Sequence, residues 1–139
     1  MGFGLTNVDG FTFSNSYLGD VGEAGIDIEP DIAQEVIRNV NIDGDTFGPI
    51  HYSVLSLGGW LADQTVSDIS FASNVMAVPS ETCQPPVYIG PPPSGVVDIP
   101  RLSITNNTLM TLSDGALLAD VSNGTMTGNT VYFLSLIHI

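Results

Sequence analysis

The feature that most constrains the fold is a short text that the chain repeats. Residues 69–76 read ISFASNVM: two apolar residues separated by a polar one, two small or polar residues, an Asn and another apolar residue. Variants of this order, one with Asp in place of Asn, occupy residues 11–17, 40–47, 102–109 and 125–131. The second apolar residue of each copy is Phe13, Ile42, Phe71, Ile104 or Met126. The steps between these positions are 29, 29, 33 and 22 residues. A repeat of this size, with short alternating segments and polar turns, predicts a solenoid of stacked coils.

A second alternating segment supports the repeat independently. In residues 25–31 (GIDIEPD), Ile26 and Ile28 alternate with Asp27 and Glu29, and a proline follows. A shift of 29 residues carries the same alternation to residues 54–60 (VLSLGGW), where Ser56 takes the place of Asp27, and the alternation returns again at 87–90 (VYIG). Since successive strand residues point to opposite faces, this pattern predicts short strands with apolar residues inside and acidic, Ser or Tyr side chains outside.

The boundaries of the repeat follow from where its rhythm stops. We assign residues 1–133 to one repeat domain. Six prolines between residues 77 and 95 predict a long inserted loop, because proline lacks the amide hydrogen of a strand ladder. Residues 134–139 (LSLIHI) break the rhythm and are interpreted as a non-native tail, and no signal peptide precedes the first copy. We therefore expect an internal piece of a longer protein.

Charge narrows the class of partner. The chain has 15 Asp and Glu against 2 Lys and Arg, a formal net charge of -13. Such a surface repels nucleic acid, whose phosphates require basic contacts, and favours neutral ligands, cationic partners or bound Ca²⁺. With one cysteine, Cys83, no internal disulfide forms. No apolar run reaches the ~20 residues that span a bilayer, so membrane insertion is not expected.

The five copies, the phrase GIDIEP at 25–30 and the turn texts TNNT at 105–108 and TGNT at 127–130 resemble the parallel β-helix repeats of the pectin-lyase-like superfamily. The resemblance implies an all-β fold: a single-stranded right-handed parallel β-helix of about five coils, truncated at both ends. It also implies an extracellular or cell-surface protein acting on or adhering to polysaccharide. The family's catalytic motifs Asn-Thr-Asp, Asp-Asp and Gly-His-Gly are absent, and the chain contains no lysine.

Polar residues at one turn position of successive coils predict a structural ladder. Side-chain amides stacked at the same position hydrogen-bond from coil to coil, as they do between stacked cross-β chains. The predicted ladder residues are Asn15, Asp45, Asn74, Asn107 and Asn129.

The candidate site lies on the outer face of residues 25–31. Asp27 and Glu29 are two residues apart on a strand, about 6.5–7 Å, within the ~6.5–9.5 Å carboxyl separation of inverting glycosidases. We interpret them as candidate catalytic carboxyls, with His51 as a further acid–base or orienting group. Ser56, Trp60 and Tyr88 follow on the next coils as candidate saccharide-binding residues, since aromatic faces pack against sugar rings.

Other interpretations of the same residues remain open. Asp27, Glu29 and Asp31 are candidate Ca²⁺ ligands, because carboxylate oxygens suit that ion; a solvated acidic face is the third alternative. The function predicted is part of a secreted carbohydrate-active protein of hydrolase or lyase type. The alternative is a non-catalytic adhesion or tailspike-like solenoid, and uncapped solenoid ends predict self-association.

Overall fold

The structure is a computed structural model that describes residues 1–58, 64–78, 85–90, 97–111, 117–118 and 121–133. Over these residues the chain is all-β and forms no helix. Every pairing between its strands is parallel. The all-β, solenoid-like part of the predicted architecture is therefore confirmed.

The described strands form three five-stranded sheets and a two-stranded one. Sheet A contains Phe3–Leu5, Ile26–Ile28, Leu55–Leu57, Val87–Ile89 and Leu117–Leu118. Sheet B contains Val8–Ser14, Val36–Asp43, Thr65–Ala72, Ser103–Thr105 and Thr125–Thr127. Sheet C contains Tyr17–Leu18, Thr46–Phe47, Val75–Met76, Thr108–Thr111 and Thr130–Phe133. The two-stranded sheet pairs Val97–Asp98 with Val121–Ser122.

The chain visits sheets A, B and C in that order five times, and each visit is one coil. We number the coils 1 to 5 by the residues they span: 3–18, 26–47, 55–76, 87–111 and 117–133. In sheet B the five repeat anchors stack directly, because Phe13, Ile42, Phe71, Ile104 and Met126 are consecutive register partners. The number of residues between copies of the repeated text is therefore the number of residues between register partners in successive coils.

Apolar side chains from all three sheets fill the space that the coils enclose. Ile26, Ile28, Leu55 and Leu57 are fully buried on the inner face of sheet A. Burial of one such side chain stabilises the fold by about 1.5–3 kcal/mol, so these short strands are held mainly by what they cover. A row of phenylalanines runs through the interior, with ring centroids 5.3 Å apart for Phe3–Phe13, 6.3 Å for Phe13–Phe47 and 5.9 Å for Phe47–Phe71.

Coil 1 is less enclosed than the coils behind it. Phe3, Phe11 and Phe13 are only partly buried there, whereas Phe47 and Phe71 are fully buried. In the described structure the three strands of coil 1 pair with the strands of coil 2. Self-association through this end stays a prediction.

Two columns of left-handed residues bend every coil at the same places. Between sheets B and C the column is Asn15, Gly44, Ser73, Asn106 and Gly128, with φ from 50° to 71°. The second column lies inside the sheet B strands of coils 1 to 3 and two residues before those of coils 4 and 5; its members are Gly10, Asn39, Asp68, Arg101 and Asn123, with φ from 56° to 95°. Gly, Asn and Asp tolerate this region best, which explains their predominance in both columns.

A hydrogen-bonded turn column ties the coils together directly after the first of these bends. Its members are Ser16, Asp45, Asn74, Asn107 and Asn129, one from each coil in order. Each side-chain Oδ1 accepts from the backbone N–H of the member one coil earlier, at 2.8 Å for Ser16–Asp45 and 2.9 Å for Asp45–Asn74, Asn74–Asn107 and Asn107–Asn129.

The asparagines of the turn column make a second bond to the preceding coil. The Nδ2 groups of Asn74, Asn107 and Asn129 donate to the carbonyl oxygens of Ile42, Phe71 and Ile104 at 3.1, 2.9 and 2.8 Å. The column therefore satisfies buried backbone groups that the short strands leave without ladder partners.

Three details differ from the sequence-based expectation. Asn15 is not in the turn column: it occupies the left-handed position one residue earlier, and Ser16 takes the place assigned to it. Phe3–Leu5 is an additional strand of sheet A, paired with Ile26–Ile28 at a 23-residue offset that a 29-residue shift misses. The strand of coil 2 in sheet B begins at Val36, four residues before the repeated text of that coil starts at Val40. Most of the proline-rich loop and all of residues 134–139 lie outside the described residues.

Candidate functional site

The outer face of sheet A brings three of the predicted site residues side by side. Asp27 is the register partner of Ser56, and Ser56 is the partner of Tyr88. Adjacent strands lie about 4.8 Å apart, so these side chains form a continuous row, which we call the outer strip. Gly90 makes room for the aromatic member, since a Cβ there would lie 2.9 Å from Cε1 and from the hydroxyl of Tyr88.

An open cavity of about 390 Å³ lies over the outer strip. Its lining includes Asp27, Ser56 and Tyr88, together with Glu29 from the end of the same strand. The segment before each strand closes one side, with Glu23 before the strand Ile26–Ile28 and Tyr52 and Ser53 before the strand Leu55–Leu57. Carboxylates, hydroxyls and two tyrosine rings thus face one space.

Burial shifts the proton affinity of the central carboxyl. Asp27 is half-buried, and this loss of solvation raises the pKa of its carboxyl above the ordinary aspartate value. A hydrogen bond from the Ser56 hydroxyl favours the ionised form and lowers the pKa in part. The neighbouring negative charges of Glu23 and Asp31 raise it again. The N-terminal ammonium of Met1, which pairs with Glu23 at 3.0 Å, acts in the lowering direction.

Glu29 and Asp31 extend the acidic lining along the strand end. A second cavity of about 210 Å³ is lined by both, by Asp27 and by residues of coil 1, among them Gly4, Leu5 and Thr6. The pKa of Glu29 is raised first by burial and then by the charges of Asp27 and Asp31. Because the pKa values of Asp27 and Glu29 move in the same direction, the structure does not separate them into an acid and a base.

His51 and Trp60 have different places from those of the strip residues. His51 is partly buried and its backbone N–H donates to the Val21 carbonyl at 2.8 Å. Its ring packs edge-on against Tyr52, with centroids 4.8 Å apart and an interplanar angle of 76°. His51 therefore supports a side chain of the cavity wall, and its acid–base role stays a prediction. Trp60 lies outside the described residues.

The candidate calcium ligands do not form a metal centre in this structure. Among the described residues, which include Asp27, Glu29 and Asp31, no group of three or more His, Cys, Asp or Glu side chains is arranged to hold a metal ion. The interpretation of these three carboxyls as Ca²⁺ ligands therefore stays a prediction.

The basic side chains lie on sheet B or in the turn that leads into it. The chain has only two, Arg38 and Arg101. Arg38 Nη2 lies 2.6 Å from Asp9 Oδ2, and Arg101 forms a two-pronged ion pair with Asp68. Their charge is thus paired away from the outer strip, and no Lys or Arg lines the described part of the 390 Å³ cavity.

Among the residues of the cavity that sequence reasoning missed are Glu23 and Tyr52. The signal was present, because the 29-residue shift that relates Asp27 to Ser56 also relates Glu23 to Tyr52. The structure joins them by a hydrogen bond from the Tyr52 N–H to the Glu23 carbonyl, 3.3 Å long. They lack the alternating pattern of a strand, and alternation is the pattern that predicts Asp27 and Ser56 as outward residues.

Comparison with known proteins leaves the site to be interpreted from its geometry alone. No protein-family model, no curated protein and no solved structure matches this chain. The described residues also contain no helix with the length and apolar character needed to cross a membrane.

Proposed function

We propose that this chain is a section of a right-handed, single-stranded parallel β-helix whose outer strip binds a neutral oligosaccharide. The observation that carries the proposal is the row Asp27, Ser56 and Tyr88, which lines one open cavity. The same site belongs to a secreted or cell-surface protein in this proposal, because polysaccharides are met there.

The chemistry of the lining supports a sugar ligand. A tyrosine ring offers an apolar face to the C–H side of a pyranose, while carboxylate and hydroxyl groups accept and donate hydrogen bonds to its hydroxyls. Tyr88 is partly buried and held over Gly90, so little side-chain entropy is lost when a ligand packs on it. Tyr52 supplies a second ring and is 43% exposed.

Charge supports a neutral ligand over an acidic one. Glu23, Asp27, Glu29 and Asp31 border the two cavities, while both arginines are paired on sheet B. A polyuronate would bring further carboxylates next to these without a basic side chain to pair with.

The test is calorimetric titration with a panel of neutral hexasaccharides that differ in linkage and sugar, beside an oligogalacturonate of equal length. We expect at least one neutral hexasaccharide to bind and the oligogalacturonate not to bind. Tyr88→Ala should weaken binding about tenfold, in line with the loss of one aromatic contact. The matched control is Tyr132→Ala, which removes an exposed tyrosine of sheet C. Equal affinity of wild type and Tyr88→Ala would refute the strip as the binding site.

Glycoside hydrolysis is a second candidate, favoured by the two carboxyls, Asp27 and Glu29, that line the same cavity. It is tested on the hexasaccharide that binds, by following new reducing ends. Cleavage that Asp27→Asn abolishes while binding persists would establish it. Binding without cleavage by wild type assigns the strip to adhesion.

A further inference from the structure

Asp45 differs from the asparagines of the turn column because one of its side-chain oxygen atoms has no hydrogen-bond partner. It is 1% exposed, and its Oδ1 accepts from the Ser16 N–H at 2.8 Å. Its second oxygen, Oδ2, is buried and has no hydrogen-bond partner. Among the described side chains, Oδ2 of Asp45 is the buried polar atom left without one.

The three asparagines of the column show what occupies the equivalent place in other coils. There, an Nδ2 group donates to the carbonyl oxygen of the sheet B anchor one coil earlier, as Asn74 does to Ile42 at 3.1 Å. Since Phe13 is the register partner of Ile42, the equivalent acceptor for coil 2 is the Phe13 carbonyl oxygen. An ionised Asp45 would place a second acceptor against this acceptor, whereas a protonated one supplies the missing donor.

We propose that Asp45 is a proton-binding site: in the folded protein its Oδ2 carries a proton and donates it to the Phe13 carbonyl, so that acid strengthens the attachment of coil 1 to coil 2. The surroundings agree. Burial is the main cause that raises the pKa of the Asp45 carboxyl, and the negative charge of Asp43 in the same turn raises it further. Backbone hydrogen bonds from Ser16 and Asp43 act in the opposite direction and lower it. The adjoining members of the column, Ser16 and Asn74, are neutral.

The consequence extends beyond the turn column because coil 1 also reaches the outer face of sheet A. Gly4, Leu5 and Thr6 of coil 1 line the 210 Å³ cavity beside Asp27 and Glu29. Protonation of Asp45 thus secures one wall of the acidic cavity at low pH.

The sign of the pH dependence follows from the direction of the shift. A carboxyl whose pKa is higher folded than unfolded binds more protons in the folded state. Its stabilising contribution is full below the unfolded pKa and is lost as the pH rises through the folded pKa. Asp45→Asn supplies the donor at every pH, so it should remove this dependence.

The test combines a carbon-detected NMR titration of the Asp45 carboxyl with denaturant unfolding of wild type and Asp45→Asn at pH 4 and pH 7. We expect Asp45 to titrate above the ordinary aspartate value of about 3.9. We expect Asp45→Asn to raise the folded-to-unfolded ratio at pH 7 by roughly tenfold, the scale of one unsatisfied buried polar group, and by less at pH 4.

A second variant keeps the proposal falsifiable. Asn74→Asp places the same carboxyl one coil further on, and it should reproduce the loss of stability at pH 7 and its recovery at pH 4. An Asp45 carboxyl that titrates at or below the ordinary value, or an Asp45→Asn variant no more stable than wild type at pH 7, would overturn the proposal.

Discussion

The turn column and the outer strip both run along this solenoid, but the turn column repeats one type of residue and the outer strip does not. In the turn column, three of five positions are Asn and each carries the same pair of bonds to the preceding coil. Along the outer strip, the register partners Gly4, Asp27, Ser56 and Tyr88 are all different. The turn column and the outer strip both have one residue in each coil, so the coil spacing does not explain why one is uniform and the other is not.

The comparison shows how a repeat protein divides structure from chemistry. A buried turn presents the same unsatisfied backbone groups in every coil, and one side chain type satisfies them each time. An outward position on a sheet meets solvent, so nothing in the stacking requires a particular residue there. Variation in the strip therefore places a carboxylate, a hydroxyl and an aromatic ring beside one another at little cost to the fold.

The largest effect that this comparison predicts is in the turn column. Asn74→Ala removes the acceptor of the Asp45 N–H and the donor to the Ile42 carbonyl, leaving two buried groups unsatisfied. We expect a loss of about 2–5 kcal/mol in the free energy of unfolding, measured by denaturant titration. The matched control is Asn41→Ala, at an exposed position of sheet B in coil 2, which should change it by less than about 0.5 kcal/mol. Equal losses at Asn74 and Asn41 would remove the distinction between the columns.

A smaller effect of opposite sign is expected in the strip. Because the pKa values of the Asp27 and Glu29 carboxyls are raised, the stability of wild type declines as the pH rises through them. The Asp27→Asn/Glu29→Gln double variant removes this decline. It should be as stable as wild type at pH 7 or more stable, by less than about 1 kcal/mol given the exposure of Glu29.

The same double variant should lose affinity for the oligosaccharide that wild type binds. Stability is read from thermal unfolding and affinity from titration calorimetry on one preparation. A clear loss of stability at pH 7 would contradict the assignment of these carboxyls to ligand binding.

The smallest effect belongs to the ion pair between Asp68 and Arg101. The Arg101 guanidinium, with help from the Ser67 hydroxyl, lowers the pKa of Asp68 to about 2. A lowered pKa contributes stability above the unfolded value of about 3.9, and this is lost as the pH falls toward about 2. In this pH window the free energy of unfolding of Asp68→Asn should depend slightly less on pH than that of wild type.

Salt provides the control for that ion pair, because the pair is exposed and 1 M NaCl shortens the screening length to about 3 Å. The difference between wild type and Asp68→Asn should therefore shrink in 1 M NaCl. A difference that salt leaves unchanged would show that the variant acts through something other than charge.

Much of the fold was predictable because the stacking repeats the same physical requirement. The anchors Phe13, Ile42 and Phe71 stack as their spacing predicts, since each must be apolar to fill the interior. The strand Phe3–Leu5 was not predicted, because its offset from coil 2 is shorter than the 29 residues between coils 2 and 3 and its sequence is rich in glycine. Asn15 was misplaced by one residue because Asn suits both the left-handed bend and the turn column, and only register tells the two positions apart.

The candidate site was harder to predict for a reason that follows from the comparison of columns. Asp27, Ser56 and Tyr88 were found because strand alternation places them outward. Glu23 and Tyr52 precede their strands, where backbone direction is set by turns and not by alternation. The unpaired Oδ2 of Asp45 could not be predicted from the sequence, because it depends on which backbone group faces a buried oxygen.

The most direct test of the central claim is an amide chemical-shift titration of the intact chain with the neutral oligosaccharide that binds best. The strip and the turn column serve as internal comparison in one spectrum. We predict shifts centred on Asp27, Ser56 and Tyr88, extending to Tyr52, with the amides of Asn74 and Asn107 unmoved. Shifts centred on sheets B and C, with the strip unchanged, would contradict the account.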